Sequence, residues 1–328
     1  MSVPKLEDVA ARAGVSPATV SRYLNKPEVV AKATGERIQA AIVETGYIPN
    51  LIAGGLASSK SRLVAVLIPY ISNSIFDATI EAMVEELSAG DTNVMLGLTG
   101  VDPARTDKLI RAALSRRVDA IITTGEMTAE HQALLRSSRT TVLQIWDFPA
   151  DPIDIAIGFS HVDLGRDIAR FLHTRGYRRP HVITAAGSRA KLRRDGIVSE
   201  WAVLGGEGMT EASVPIPSRF GYARGAFADM RRLEERPDVV VCGSDFLAMG
   251  LIVEAQAAGL KVPEDLAVMG FGNSSNAGEM RPTITSVDID GSRIAREAIS
   301  VIRRRLKGED VPERRIDVGF RLIARESA

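Results

Sequence analysis

Between Ser16 and Asn25 the chain sets short hydroxyl and amide side chains around one long cation. If Pro17 to about Leu24 is a helix, Val20 and Leu24 share an inward face by their i, i+4 spacing. Ala18, Thr19, Ser21, Arg22 and Asn25 then fall on the outer, polar face. Serine, threonine and asparagine are donors suited to phosphate oxygens, and arginine can grip a guanine edge through two parallel hydrogen bonds. The implied chemistry is the reading of nucleic acid. Catalysis is poorly served: no GxGxxG follows a strand, and there is no GxxxxGKS or GxxxxGKT, no GxSxG and no HExxH. His131, His161, His173 and His181 lack metal-ligand spacing and read as surface or structural residues. Cys242, the single cysteine, lies in an apolar strand and reads as inert core. No catalytic, metal or cofactor site is expected.

The elements that must position the polar face are legible from caps. Leu6 to Ala13 reads as a helix with Val9, Ala10 and Ala13 on one side, and Gly14 suits the left-handed position that ends it. Ser16 stands where an N-cap belongs and Pro17 where a first helical residue belongs. A third helix covers about Ala33 to Thr45, with Ile38, Ala41 and Ile42 as its apolar stripe and Gly46 as its stop. Two short helices joined by a glycine turn form a helix-turn-helix pattern, although a plain three-helix bundle with a solvated polar face has the same appearance. Charge does not separate the two. The chain carries 41 cations and 41 anions, and its first sixty residues hold seven cations against five anions. DNA affinity would have to come from placement and dimerisation rather than bulk charge.

Residues 50–59 have linker composition, and Gly54–Gly55 disfavours a helix by roughly 1 kcal/mol per glycine. From residue 63 short apolar runs alternate with amphipathic stretches. Candidate strands are Leu63–Pro69, Asn93–Leu98, Ala120–Thr124, Thr141–Trp146, Ala156–Phe159, His181–Ala185, Val239–Cys242 and Leu266–Phe271. Helices such as Phe76–Ser88, Pro103–Ser115, Val162–Thr174, Arg224–Leu233 and Leu247–Ala258 lie between them. Alternating βα units predict doubly wound parallel sheets, and their number suits two α/β subdomains. With 45% hydrophobic and 25% charged residues the chain can bury a real core, which excludes wholesale disorder. Its longest apolar runs are far shorter than a membrane span, and no basic segment precedes an apolar one at the N-terminus, so a cytoplasmic protein is expected.

The runs LEDVAARAGVSPATVSRYLNKPEVV and ERIQAAIVETGYIPNLIAGGLAS resemble the headpiece of the LacI/GalR family of repressors, and the resemblance continues to the C-terminal RLIARES. It implies a helix-turn-helix domain over 1–49, a hinge over 50–61 and an effector-binding and dimerisation domain over 62–328. That last domain would resemble periplasmic binding proteins, with one subdomain of about 62–158 and 288–316 and another of about 159–287 and 317–328. The resemblance places base contacts at Pro17, Ala18 and Arg22 and phosphate contacts at Ser16, Thr19, Ser21 and Asn25. It implies a hinge helix that folds on DNA, with Leu56 wedged into the minor groove beside Ala57. Bulkier residues are commoner in the family at Gly54 and Gly55, so hinge ordering should cost more here and DNA binding should switch off more readily.

For the effector the resemblance points to Ser74, Ile75 and Phe76 after the first strand, with Phe76 as either ligand wall or helix-capping core. It points also to Trp146, as pocket wall or hinge packing, and to Asp147 as a hydroxyl acceptor. In SRAKLRRDGI it places the effector arginine at Arg193, with Arg189 one turn earlier as a second ligand residue or part of a solvated basic helix start. In GSDFLAMG, Ser244 would face the ligand and Asp245 would cap the following helix. In VMGFGN, Gly272 stands where sugar-binding members have an acid. Losing a carboxylate while keeping an arginine favours an anionic ligand. DIAIGFSHVDLGR, VGFRLI and SRYLNKPEVV resemble the gluconate-operon repressor branch. The expectation is a homodimeric repressor on a palindromic double-stranded operator, released by a sugar acid such as gluconate. No leucine heptad tail follows Arg325, which favours a dimer over a tetramer. The alternatives are a solute-binding protein of the same fold, a regulator of neutral-sugar or sugar-phosphate metabolism, and a doubly wound enzyme, the weakest of the three.

Overall fold

The computed structural model describes residues 4–48, 61–71, 75–90 and 92–328. The hinge expected over 50–61, apart from Ser61, lies outside the described residues, together with its Leu56 and Ala57, and so does Ser74. The chain forms two compact units, Met1–Arg62 and Leu63–Ala328.

Among its described residues the first unit holds three helices, α1 (Leu6–Ala13), α2 (Pro17–Asn25) and α3 (Lys32–Thr45), with one 3₁₀ turn at Pro27–Val29. Gly14 ends α1 at φ 65°, and its N–H reaches the Ala10 and Ala11 carbonyls. The Ser16 hydroxyl then caps α2 by accepting from the Thr19 N–H, with Pro17 at the first turn. These local devices turn the chain sharply, so that Val9, Ala10, Ala13, Val20, Ile38 and Ala41 meet in one small core. Gly35 is bare because the Tyr23 ring lies against it, where a Cβ would collide.

Among its described residues the second unit holds two parallel sheets. The larger runs β11-β5-β4-β3-β1-β2, from β1 (Leu63–Ile68), β2 (Asn93–Leu98), β3 (Ala120–Thr123), β4 (Thr141–Ile145), β5 (Ile155–Gly158) and β11 (Arg315–Asp317). The smaller runs β7-β6-β8-β9, from β6 (Pro180–Ala185), β7 (Thr210–Val214), β8 (Val239–Cys242) and β9 (Ala267–Met269). Five consecutive residues of β1 and all of β3, β5 and β8 are buried, as strands covered on both faces must be. The helices in chain order are α4 (Asp77–Ser88), α5 (Pro103–Ser115), α6 (Ala129–Ser137), α7 (His161–Thr174), α8 (Ser188–Val203), α9 (Tyr222–Met230), α10 (Asp245–Ala257), α11 (Ser275–Glu279) and α12 (Gly291–Leu306). The last of these returns to the larger sheet, packing on α4, β4 and β5. A small antiparallel pair, β10 (Ser286–Asp288) with β12 (Arg321–Ile323), completes the fold.

The sequence-derived strands match the structure within about two residues at their ends, but β7, β10, β11 and β12 are additions. β7 is polar at alternate, exposed positions, and the other three are only three residues long. Such segments carry little periodic signal and are held by their neighbours.

Candidate DNA-reading face and ligand cleft

On the headpiece, α2 turns Val20 into the core and leaves Ser16, Pro17, Ala18, Arg22 and Asn25 exposed, with Thr19 and Ser21 half-buried. The short side chains are already ordered by the helix. The Ser16 and Thr19 hydroxyls lie 2.9 Å apart, and Asn25 Nδ2 donates to the Ser21 carbonyl at 2.8 Å. Arg12, by contrast, is paired to Glu44 across the bundle. The Arg22 guanidinium has no ion-pair partner among the described residues, so its full fork is available to an external acceptor.

In the larger unit a cavity of about 570 Å³ opens where the carboxyl ends of the two sheets face one another. In each sheet the strand order reverses, at β1/β3 and at β6/β8, and the loops part there to leave a crevice. Tyr70 follows β1, Glu126 follows β3, Trp146 ends β4, His161 follows β5, Arg189 follows β6 and Ser244 follows β8. All six line the cavity.

The structure brings together Ile75, Phe76, Trp146, Arg189, Arg193 and Ser244 of the sequence-derived set. Phe76 and Trp146 are each 2% exposed, so each is core packing and cleft wall at once. Trp146 sits at φ 61°, a backbone state that costs a side-chain-bearing residue about 1 to 3 kcal/mol. Its indole Nε1–H donates to Thr79 Oγ1 on α4 at 3.0 Å, and its ring meets Phe76 and Phe159 edge-to-face.

Arg189 and Arg193 project one turn apart from α8 into the cleft. Arg189 donates to Thr124 Oγ1 at 2.6 Å and lies over the Phe76 ring. Beside it, Glu126 accepts the Ser188 N–H at 2.7 Å, placing a carboxylate at the amino end of α8. Both contacts join the two lobes. Arg193 lies 4.3 Å over the Phe271 ring and donates to His161 Nδ1 at 3.2 Å. Desolvation by the cleft walls and the charge of Arg189 lower the Arg193 pKa to about 9, still cationic at neutral pH. Desolvation also lowers Arg189, opposed by Asp147, Tyr70 and Glu126. Arg193 therefore lacks the carboxylates that Arg189 feels. Lys191 is exposed and Arg194 turns away to Glu211, so the basic run divides by helical face.

The R-x-x-G pattern has a packing cause. A Cβ on Gly196 would run into the Val162 carbonyl oxygen, and one on Gly165 into the Arg193 carbonyl. These two bare positions let α7 and α8 cross with backbones nearly touching, and so bring Arg193 to His161.

Three expectations are corrected. Asp147 is not on the cavity wall; its Oδ1 accepts from the Phe148 N–H, and it acts on Arg189 through its charge. Gly272 is also off the wall. It holds φ 115°, and the Ile75 side chain fills the space in which a Cβ would stand, so an acid here would be both strained and blocked. Ser244 lines the cavity as expected, but it, and not Asp245, is the helix cap. Ser244 caps α10 by accepting from the Leu247 N–H, while the buried Asp245 carboxylate accepts from Ser286 Oγ and the Ser274 N–H. Burial raises the Asp245 pKa, and those bonds oppose the rise.

Sequence reasoning does not find Tyr70, Glu126 or, above all, His161, expected only as a surface or structural residue. The topology holds the signal that finds it: His161 stands just beyond the carboxyl end of β5, next to the crevice. His131 also reaches the cavity, but its Nδ1 faces the Thr128 N–H in a capping box. Cys242 is buried, and burial pushes its thiol pKa up, which keeps it unreactive. Among the described residues no His, Cys, Asp and Glu group is arranged to hold a metal, and no helix is long and apolar enough to cross a membrane.

Comparison with known proteins agrees with this layout. Residues 5–50 match the lacI family of bacterial regulatory proteins, and residues 169–328 match a periplasmic binding protein-like domain. The chain is 31% identical over 323 residues to the HTH-type transcriptional regulator GntR of Escherichia coli K12, covering 97% of each. It is 32% identical over 328 residues to the GntR regulator of Pseudomonas aeruginosa, covering 99% of this chain and 95% of that one. A LacI-family regulator structure from Silicibacter pomeroyi superposes with a TM-score of 0.91 at 28% identity, over 99% of each chain. The chain belongs to the LacI family and is a DNA-binding transcriptional regulator, not an enzyme.

Proposed function

We propose that this regulator is a cytoplasmic homodimeric repressor that leaves a palindromic operator when a small anionic sugar derivative, a gluconate-like sugar acid, enters the cleft. The observation that carries the reading is Arg193, a half-buried cation on the cleft wall against an aromatic ring and a histidine, paired to no carboxylate among the described residues. A charge partly withdrawn from water without a counter-ion is costly, and a ligand carboxylate offsets that cost through charge-assisted hydrogen bonds. Similarity to GntR regulators over nearly the full length supports the same class of effector.

The chain would be organised as a reading domain over 1–49, a hinge over 50–61 and a sensing domain over 62–328. Arg22, with Pro17 and Ala18, reads bases, while Ser16, Thr19, Ser21 and Asn25 hold phosphates. Leu56 and Ala57 enter the minor groove at the operator centre. Two such headpieces on a two-fold axis read two half-sites. Effector binding changes the lobe arrangement and is linked to DNA affinity by a coupling free energy.

Calorimetry of the intact chain with gluconate, glucose and a sugar phosphate tests the effector class, and DNA selected in vitro reports release. Gluconate is expected to bind more tightly than glucose and to release the DNA. Tight binding of glucose alone overturns the anion reading, and DNA held more tightly with gluconate reverses the sign to corepression.

A further inference from the structure

Arg193 has a histidine, rather than an acid, as its hydrogen-bond partner. His161 is buried at the head of α7, between the two lobes' strand ends. Its two ring nitrogens have separate duties. Nε2 lies 3.1 Å from the Trp146 carbonyl, which can only accept, so Nε2 carries the proton. Nδ1 lies 3.2 Å from the Arg193 guanidinium, which can only donate, so Nδ1 offers its lone pair. The ring is fixed by Phe159 at 4.6 Å, and the Arg193 plane is fixed by Phe271 at 4.3 Å. The histidine thus aims one edge of the guanidinium without neutralising it.

We infer that His161 is a positioning residue that selects for anionic effectors: it holds Arg193 in place through an uncharged acceptor, leaving the positive charge for the ligand. Protonation would break this arrangement by setting a second cation against Arg193. Burial, with Arg193 and then Arg189 nearby, lowers the His161 pKa to about 2, so the ring stays neutral. An aspartate in the same place would give Arg193 a resident counter-ion and remove the reason for an anion to bind. The inference rests on the proposed sugar-acid effector and adds the residue that enforces the selection.

The test is the pair His161→Asn and His161→Asp in the full-length chain. Both place a γ-branch atom where Nδ1 stands, both lose the bond to the Trp146 carbonyl, and they differ in charge. Calorimetry with gluconate and with glucose gives the preference for each. H161N is expected to keep the wild-type gluconate preference within about threefold, whereas H161D loses about tenfold or more of it. Equal preference in H161N and H161D overturns the inference while leaving the anion reading intact. Failure of gluconate to bind the wild type overturns both. A nitrogen-15 spectrum of the unliganded wild type provides a readout that needs no ligand. A neutral His161 protonated on Nε2 at pH about 6 is expected, and a ring protonated on Nδ1 overturns the assignment.

Discussion

Arg22 stands in water on the outer face of the headpiece, whereas Arg193 is set into the wall of a cleft against Phe271 and His161. Neither is paired to an acid among the described residues. The same side chain under the same deficit has opposite energetics in the two places. Arg22 is exposed, so its charge costs the headpiece little until an acceptor arrives. Arg193 is half-buried on the cleft wall and only partly reached by water, so its charge carries a cost to the sensing unit that a ligand offsets. A reading residue can therefore be exposed and stable, while a sensing residue links ligand binding to the stability of its own domain.

The largest effect that would break this contrast is expected from Arg193→Met. It removes the charge and keeps much of the contact over Phe271. Gluconate affinity should fall by about 2 to 5 kcal/mol, while the melting temperature of the unliganded chain stays level or rises. Calorimetry and thermal unfolding measure the two halves, and an unliganded loss of stability as large as the binding loss would show that Arg193 is merely structural. The headpiece counterpart is smaller. Arg22→Ala should lose about 1 to 3 kcal/mol at the specific site and relax base preference at one position, with unfolding changed by no more than about 0.5 kcal/mol. Uniform weakening across all DNA sequences would make Arg22 a phosphate contact instead.

The same contrast explains what was legible. Headpiece structure is written in neighbouring residues: Gly14, Ser16 and Pro17 act within a turn of where they stand, and the observed helices start and stop at them. The cleft is assembled from residues far apart in the chain. Arg193 could be found through its resemblance to a family pattern, but the crossing enforced by Gly165 and Gly196 is a tertiary fact. Ser244 and Asp245 are both good capping residues, and only Ser274 and Ser286, supplied by later segments, decide which of them caps. Gly272 marks a missing carboxylate in the sequence, yet Ile75 from the other lobe occupies the place. His161 carried no local signal, because its partners come from the end of β4 and from α8.

The smallest predicted effect sharpens the comparison by pH. An unfolded histidine titrates near 6.5, while His161 in the fold is lowered to about 2, first by burial and then by Arg193 and Arg189. As pH falls below about 6.5 the unfolded chain takes up a proton that the folded chain refuses, so stability falls. For one such histidine the loss between about pH 7.5 and about pH 5.5 is about 1.4 kcal/mol. His181 is also lowered by burial, with Glu211 opposing, and adds a loss of the same sign. The hydrogen-bonded carboxylates with lowered pKa, such as Asp107 and Glu211, weaken the fold only as pH falls through the acid range below this window. Denaturant unfolding of the sensing unit should therefore weaken over these two units, and H161N should remove about 1.4 kcal/mol of that dependence. The headpiece contains no histidine, so its own unfolding should stay flat across the same window. An equal slope in both units would mean that the pH dependence does not come from buried imidazoles, and the desolvated wall around Arg193 would lose its independent support.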